Sequence, residues 1–193
     1  MNSMSYWVFT DIFEEPGPRF TPFHGGFGLI NYQGINKPAF YSYQFLNRLG
    51  ENEIQNSDPA SWVCKNDRGD IQLLFWNFTI THPGDSINNQ VFYKRDLPSK
   101  SKGKVKISLS NITTGKYSME VYQTGYKIND PCTTYFEMGS PSQLTIQQVE
   151  SIKKINNGQP VFTKLVQIDS SKLLDQEFDI RENDVYFISL VKL

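Results

Sequence analysis

Six short runs dominate the chain after Gly50: Ser61 to Lys65, Ile71 to Ile80, Val105 to Ser110, Lys116 to Thr124, Val161 to Ile168 and Val185 to Val191. Each alternates or clusters β-branched and aromatic residues, and Asn, Gly, Pro and Asp turns separate them, which is the punctuation of an all-β fold. So many short strands at close spacing predict a β-sandwich, with Leu73, Phe75, Val105, Ile107, Phe187 and Leu190 facing a core between two sheets. Two short helices interrupt the strands. Asp130 is placed to cap the first, Pro131 to fill its first turn and Gly139 to close it. For the second, Thr145 and Gln148 match a capping box, Leu144 and Val149 a hydrophobic staple, and Ile146, Val149 and Ile152 line one face.

Residues 1–50 follow a different order, predicted as strand, glycine-rich loop and helix, so the sequence divides into 1–50 and a sandwich over 51–193. Tyr6-Trp7-Val8-Phe9-Thr10-Asp11 is a run of strand formers that ends near Glu14 and Glu15. A buried strand that stops at carboxylates is how barrel enzymes build the mouth of a site. Residues 37–49 are predicted helical, with Asn36 as cap, Pro38 in the first turn, Ala39, Tyr43 and Leu46 at helical spacing and Gly50 as a left-handed stop. One such unit cannot close a sheet or bury both faces of a strand. The run begins almost at Met1, so the expectation is an isolated strand-loop-helix unit that either folds back on the sandwich or is covered by a second copy, a homodimer being favoured.

Composition excludes several classes. With 19 basic against 20 acidic residues there is no electrostatic footprint for nucleic acid. No apolar stretch approaches a bilayer span, and Met1 to Ser5 is not a charged leader, so no membrane is expected and a cytoplasmic location is favoured over secretion. The Asn77-Phe78-Thr79 and Asn111-Ile112-Thr113 sequons are accordingly read as chance. Cys64 and Cys132 are expected to be free buried thiols, His24 has no obvious carboxylate or cysteine at ligand spacing, and His82 sits before Pro83 in a loop, so neither a metal nor another cofactor is expected. The lysines between Lys94 and Lys106 read as a solvated connection. An aromatic content of 14% suits strand cores and also surfaces that stack on sugar rings.

Glu14 and Glu15 are the most conspicuous pair, yet adjacent glutamates point in different directions and rarely act as acid and base on one bond. One of them is suited to accept hydrogen bonds from sugar hydroxyls, and a capping or solvated loop charge is the alternative. His24-Gly25-Gly26-Phe27-Gly28 lacks the Lys-Ser/Thr of a phosphate loop, and no Gly-x-Ser-x-Gly nucleophile follows. These glycines are expected to turn the backbone between strand and helix.

The segment from Ser5 to Glu15, then Thr21 to Leu29, then Lys37-Pro38-Ala39 resembles the eighth barrel strand and following loop of family 39 glycoside hydrolases, the β-xylosidase and α-L-iduronidase family. Gly125-Tyr126-Lys127, Asn129-Asp130 and Glu137-Met138-Gly139-Ser140-Pro141 resemble the β-sandwich that follows the barrel in its xylosidase branch. The resemblance implies that residues 1–50 are the last βα unit of a (β/α)8 barrel. It implies a glycone-subsite role for Trp7 and Glu14, with Glu15 beside them, and a loop-supporting role for Asp11 and His24. It also implies that the two catalytic glutamates, one in an Asn-Glu-Pro context, lie upstream, and the 193 residues contain no Asn-Glu-Pro.

Two function classes follow. The chain is either the C-terminal part of a xylosidase-like enzyme, retaining a weak site for a xylose-type sugar and needing an upstream barrel polypeptide, or a non-catalytic β-sandwich module that binds carbohydrate or protein. Without a nucleophile and a proton donor the chain alone is expected to hydrolyse no glycoside. The strands themselves suggest no second sugar site.

Overall fold

The computed structural model describes residues 5–12, 17, 19–79 and 96–193. Glu14, Glu15, His82, Lys94 and Arg95 lie outside the described residues. The elements run α1 (Pro38–Leu46), β1 (Asn52–Ile54), β2 (Ser61–Lys65), β3 (Ile71–Trp76), β4 (Ser101–Leu109), β5 (Gly115–Thr124), α2 (Pro131–Glu137), α3 (Ile146–Ile155), β6 (Phe162–Ile168), β7 (Leu174–Arg181) and β8 (Val185–Lys192). Among the described residues the protein is mainly β, with three short helices.

The described residues form two compact units, each discontinuous in sequence. One draws on the described parts of Met1–Tyr41, Ile80–Pro98 and Tyr126–Asn157; the other comprises Ser42–Thr79, Ser99–Gly125 and Gly158–Leu193. Residues from both sides of Gly50 therefore contribute to each.

The second unit is the sandwich. Six strands pair antiparallel in the order β1-β2-β3-β8-β5-β6, and β4 pairs with β7 in a separate two-stranded sheet. Leu73, Phe75, Met119, Val121, Ile188 and Leu190 project from one face of the large sheet and pack against Leu174, Phe178 and Ile180 of β7 and Val105, Ile107 and Leu109 of β4. The β3 run Ile71 to Trp76 is apolar at nearly every position because its opposite face is covered too. There Phe45 stacks on Phe187 with centroids 5.8 Å apart, and the Arg48 guanidinium lies 4.0 Å above the Tyr122 ring.

Several expectations change in detail. Residues 101–106 are not a solvated connection: they lie in β4, where Lys104 and Lys106 face Glu177 and Asp175 of β7 at 3.5 and 2.9 Å. Alternate lysines on a strand put their charges on one face, and the facing acidic row of β7 neutralises them. Gly50 is not a left-handed stop. A side chain there would come within 2.6 Å of the Asn66 backbone nitrogen, so the position requires glycine for close approach. Helix α1 starts at Pro38 and ends at Leu46, and Asn36 instead bridges to Ile30. The Thr145 and Gln148 capping box is present in both directions, and Asp130 accepts from the Thr133 amide at the start of α2.

In the first unit α2 and α3 bury Tyr135, Val149 and Ile152 against Phe23, Ile35 and Leu144. The expected strand over Tyr6 to Asp11 is reduced to one parallel bridge between Thr10 and Ile30. Val8 has φ +86°, which interrupts the extended run, and among the described residues no strand flanks it to complete a ladder.

Candidate functional site: a pinned loop in the first unit

The bridge at Thr10 sets the start of the site. Ile30 donates its amide to the Phe9 carbonyl at 3.1 Å, and Asp11 donates to the Ile30 carbonyl at 3.0 Å. This delivers the side chain of Asp11, a residue only 2% exposed, under the glycine-rich loop. Asp11 Oδ1 accepts from the Gly28 amide at 2.7 Å, and Lys37 Nζ lies 2.8 Å from Oδ1 and 3.0 Å from Oδ2. The same ammonium donates to the Gly26 carbonyl at 2.8 Å. One buried carboxylate and one lysine thus hold both ends of Gly26-Phe27-Gly28, and their mutual bonds offset the desolvation of each charge. Gly28 is obligatory, because a β-carbon there would lie 2.7 Å from Asp11 Oδ1 and closer still to the Thr10 and Asp11 backbone. Gly25 has φ +79°, so it supplies the left-handed turn at the loop entrance.

Asn31, 1% exposed, extends the scaffold. Its Oδ1 accepts from the amides of Gln33 and Ile35 at 3.0 and 2.9 Å, and its Nδ2 donates to the Pro22 carbonyl at 3.1 Å. Tyr41 donates its hydroxyl to the Asn156 carbonyl, and Asn156 Nδ2 donates to Thr134 Oγ1 at 3.2 Å, which ties α1 to α2 and α3. Neither Asn31 nor Asn156 stands out in the sequence. Asparagine followed by a Tyr-Gln-Gly turn is the only local signal for Asn31.

A cavity of about 240 Å³ opens beside this loop, lined by Asp11, His24, Gly26, Lys37, Pro131 and Cys132 among others. Among the described residues its one lining carboxylate is that of Asp11, already engaged by Lys37 and the Gly28 amide. His24 Nδ1 contacts the Thr21 carbonyl at 2.8 Å. Burial, reinforced by the Asp130 and Asp96 carboxylates and opposed by Lys37, pushes the Cys132 thiol up to about 12, so it is not a nucleophile at neutral pH. Among the described residues no group of His, Cys, Asp and Glu has the arrangement of a metal site.

The predicted site residues fall into three groups. Asp11 sits in the network beneath the loop, and His24 lines the same cavity. Trp7 lies four residues before Asp11 with 74% of its surface exposed. Glu14 and Glu15 lie outside the described residues.

Residues 1–169 match the model of glycosyl hydrolases family 39. The chain is 33% identical over 156 residues to a β-xylosidase of Caldicellulosiruptor saccharolyticus, covering 78% of this chain and 28% of that protein. To a β-xylosidase of Geobacillus stearothermophilus it is 36% identical over 91 residues, covering 47% of this chain and 18% of that one. Among solved structures it resembles a family 39 enzyme of Xanthomonas axonopodis pv. citri with a TM-score of 0.88 and 33% identity, covering 98% of this chain and 37% of that one. A monomeric β-xylosidase of Caulobacter crescentus gives 0.88 and 32%, over 99% and 38% of the two chains. The chain therefore spans well under half the length of each of these proteins.

Proposed function

The chain belongs to glycosyl hydrolase family 39, and on that premise we propose that it is the C-terminal portion of a β-xylosidase-type glycosidase, contributing sugar-contacting residues while the groups that break the bond lie elsewhere in the enzyme. The observation that carries the reading is Trp7, a large ring left exposed on a segment whose next turn is pinned by Asp11 and Lys37. An exposed indole held on a fixed backbone presents an apolar face to the C–H side of a pyranose at little entropic cost. Glu14 and Glu15 follow within the same segment and are assigned to the sugar hydroxyls, which carboxylates accept well. Asp11 and His24 support the loop.

Catalysis by retention needs a nucleophile and an acid/base some 5 Å apart, roughly, flanking the glycosidic oxygen. Among the described residues that line the cavity there is no second carboxylate. The chain alone is accordingly inactive, and the sandwich serves to buttress the enzyme.

Titrating xylose while following tryptophan fluorescence tests the sugar contact. A saturable change in the millimolar range that is smaller in Trp7→Phe supports the reading, and an identical response in both proteins contradicts it. The alternative of a free-standing binding module is weakened by the family match, which extends through the first unit as well as the sandwich.

A further inference from the structure

The sandwich unit carries its own cavity, of about 510 Å³, within the range of roughly 300 to 1,000 Å³ common for small-molecule sites. Its floor follows from strand register. Trp62 of β2 pairs with Leu74 of β3, and Trp76 donates its amide to the Ala60 carbonyl at 3.1 Å. Trp62, Leu74 and Trp76 therefore share the face of the sheet opposite the core residues Leu73 and Phe75. The two indoles meet edge to face, 6.3 Å apart at 74°, so a ligand lying on one ring face abuts the edge of the other. Trp62 is 37% exposed, a large apolar surface to leave open without a ligand.

The rim is polar and fixed. Asn56 Oδ1 accepts from the Asp58 amide at 2.8 Å, and Asp58 Oδ1 accepts from the Ala60 amide at 3.0 Å. These turns set the loop between β1 and β2 in one shape. Glu53 and Asp58 line the cavity, and among the described residues no lysine or arginine does. Such a rim repels phosphates and carboxylates and accepts hydrogen bonds from hydroxyls. Aromatic floor and acceptor rim together fit an amphipathic ligand that carries many hydroxyl donors and no negative charge.

We propose that this cavity of the sandwich binds a short neutral oligosaccharide, one pyranose face lying on one indole of the Trp62 and Trp76 pair and abutting the edge of the other, its hydroxyls donating to Glu53, Asn56 and Asp58. The site is separate from Trp7 and does not depend on the sugar contact assigned to it.

The chain contains three tryptophans, so Trp7→Phe leaves Trp62 and Trp76 as the sole reporters. In that variant of the intact chain, titration with xylotriose or cellotriose is expected to give a saturable fluorescence change in the millimolar range, and a trimer of galacturonic acid none. Adding Trp62→Ala is expected to weaken binding by about tenfold or more. Should that variant fold poorly, the indole N–H resonances of Trp62 and Trp76 in Trp7→Phe supply the readout, both shifting with neutral sugar. A flat titration with unmoved indole resonances overturns the proposal, as does a response equal for the neutral and anionic trimers.

Discussion

Lys37 closes over Asp11 as a lid on a buried charge: the ammonium reaches both carboxylate oxygens, 2.8 and 3.0 Å away, and the Asp11 side chain is 1% exposed against 17% for Lys37. Breaking such a pair from one side leaves an uncompensated buried charge, which typically costs about 3 to 5 kcal/mol. Lys37→Met is expected to destabilise the first unit by roughly the lower end of that range. Asp11→Asn in the same background is expected to restore part of the loss, because it removes the stranded charge and keeps an acceptor for the Gly28 amide. Urea denaturation of the wild type, both singles and the double variant measures the coupling directly.

Gly125 and Asp184 make a second contact with no slack. A β-carbon at Gly125 would overlap Asp184 Oδ1, and Asp184 is fully buried with its other oxygen accepting from the Arg181 amide at 2.9 Å. Gly125→Ala is expected to cost about 1 to 3 kcal/mol, the usual range for overpacking a filled site. Its midpoint in denaturant reads the loss, and because Gly125 does not have a positive φ the loss reports the clash with Asp184 alone.

Cys132 predicts a pH dependence. Burial raises its thiol from the ordinary value near 9 to about 12, so the folded protein holds the neutral form where an unfolded chain ionises. The stability this contributes is complete below about pH 9 and is lost as pH rises toward about 12. At pH 8 the thiolate population is about a thousandfold below that of an unperturbed cysteine. Alkylation of Cys132 in the native chain is therefore expected to be slower by a comparable factor than in urea, as mass spectrometry of the modified peptide will show.

The pinned loop and the segment before it expose more than Trp7. Phe9, Ile12, Phe20 and Phe27 are each more than three-fifths exposed, at 62%, 62%, 64% and 65%. Burying such rings is worth about 1.5 to 3 kcal/mol each. The isolated chain is expected to self-associate through them, with light scattering at micromolar concentration giving a homodimer and Trp7→Ser with Phe9→Ser restoring monomer. A clean wild-type monomer in which Trp7 is shielded from quenchers contradicts this.

Local chemistry was legible wherever it was self-contained. The bounds of β2, the capping box at Thr145 and Gln148 and the proline start of α2 follow from residues next to one another, and the structure carries all three. Strand β7 was not legible. Asp175, Glu177 and Asp179 alternate along it and lower its strand propensity, and only the facing lysines of β4 make that pattern favourable. The Trp62 and Trp76 pair was hidden for a related reason: two tryptophans on different strands become neighbours only once the register is set. The contacts of Asp11 could not be read from the residues beside it, since its partners Lys37 and Gly28 are distant in sequence. Tyr6 to Asp11 has the composition of a strand, but composition cannot supply the neighbours that a ladder requires.

The central claim is that this chain holds the sugar-contacting edge of a family 39 site without the groups that cleave the bond. Hydrolysis of an aryl β-xyloside by the purified 193-residue chain tests it most directly. The account predicts release of the aryl group no faster than in a mock preparation, in wild type and Trp7→Phe alike. Turnover clearly above that background, abolished by a carboxylate substitution within the chain, contradicts it.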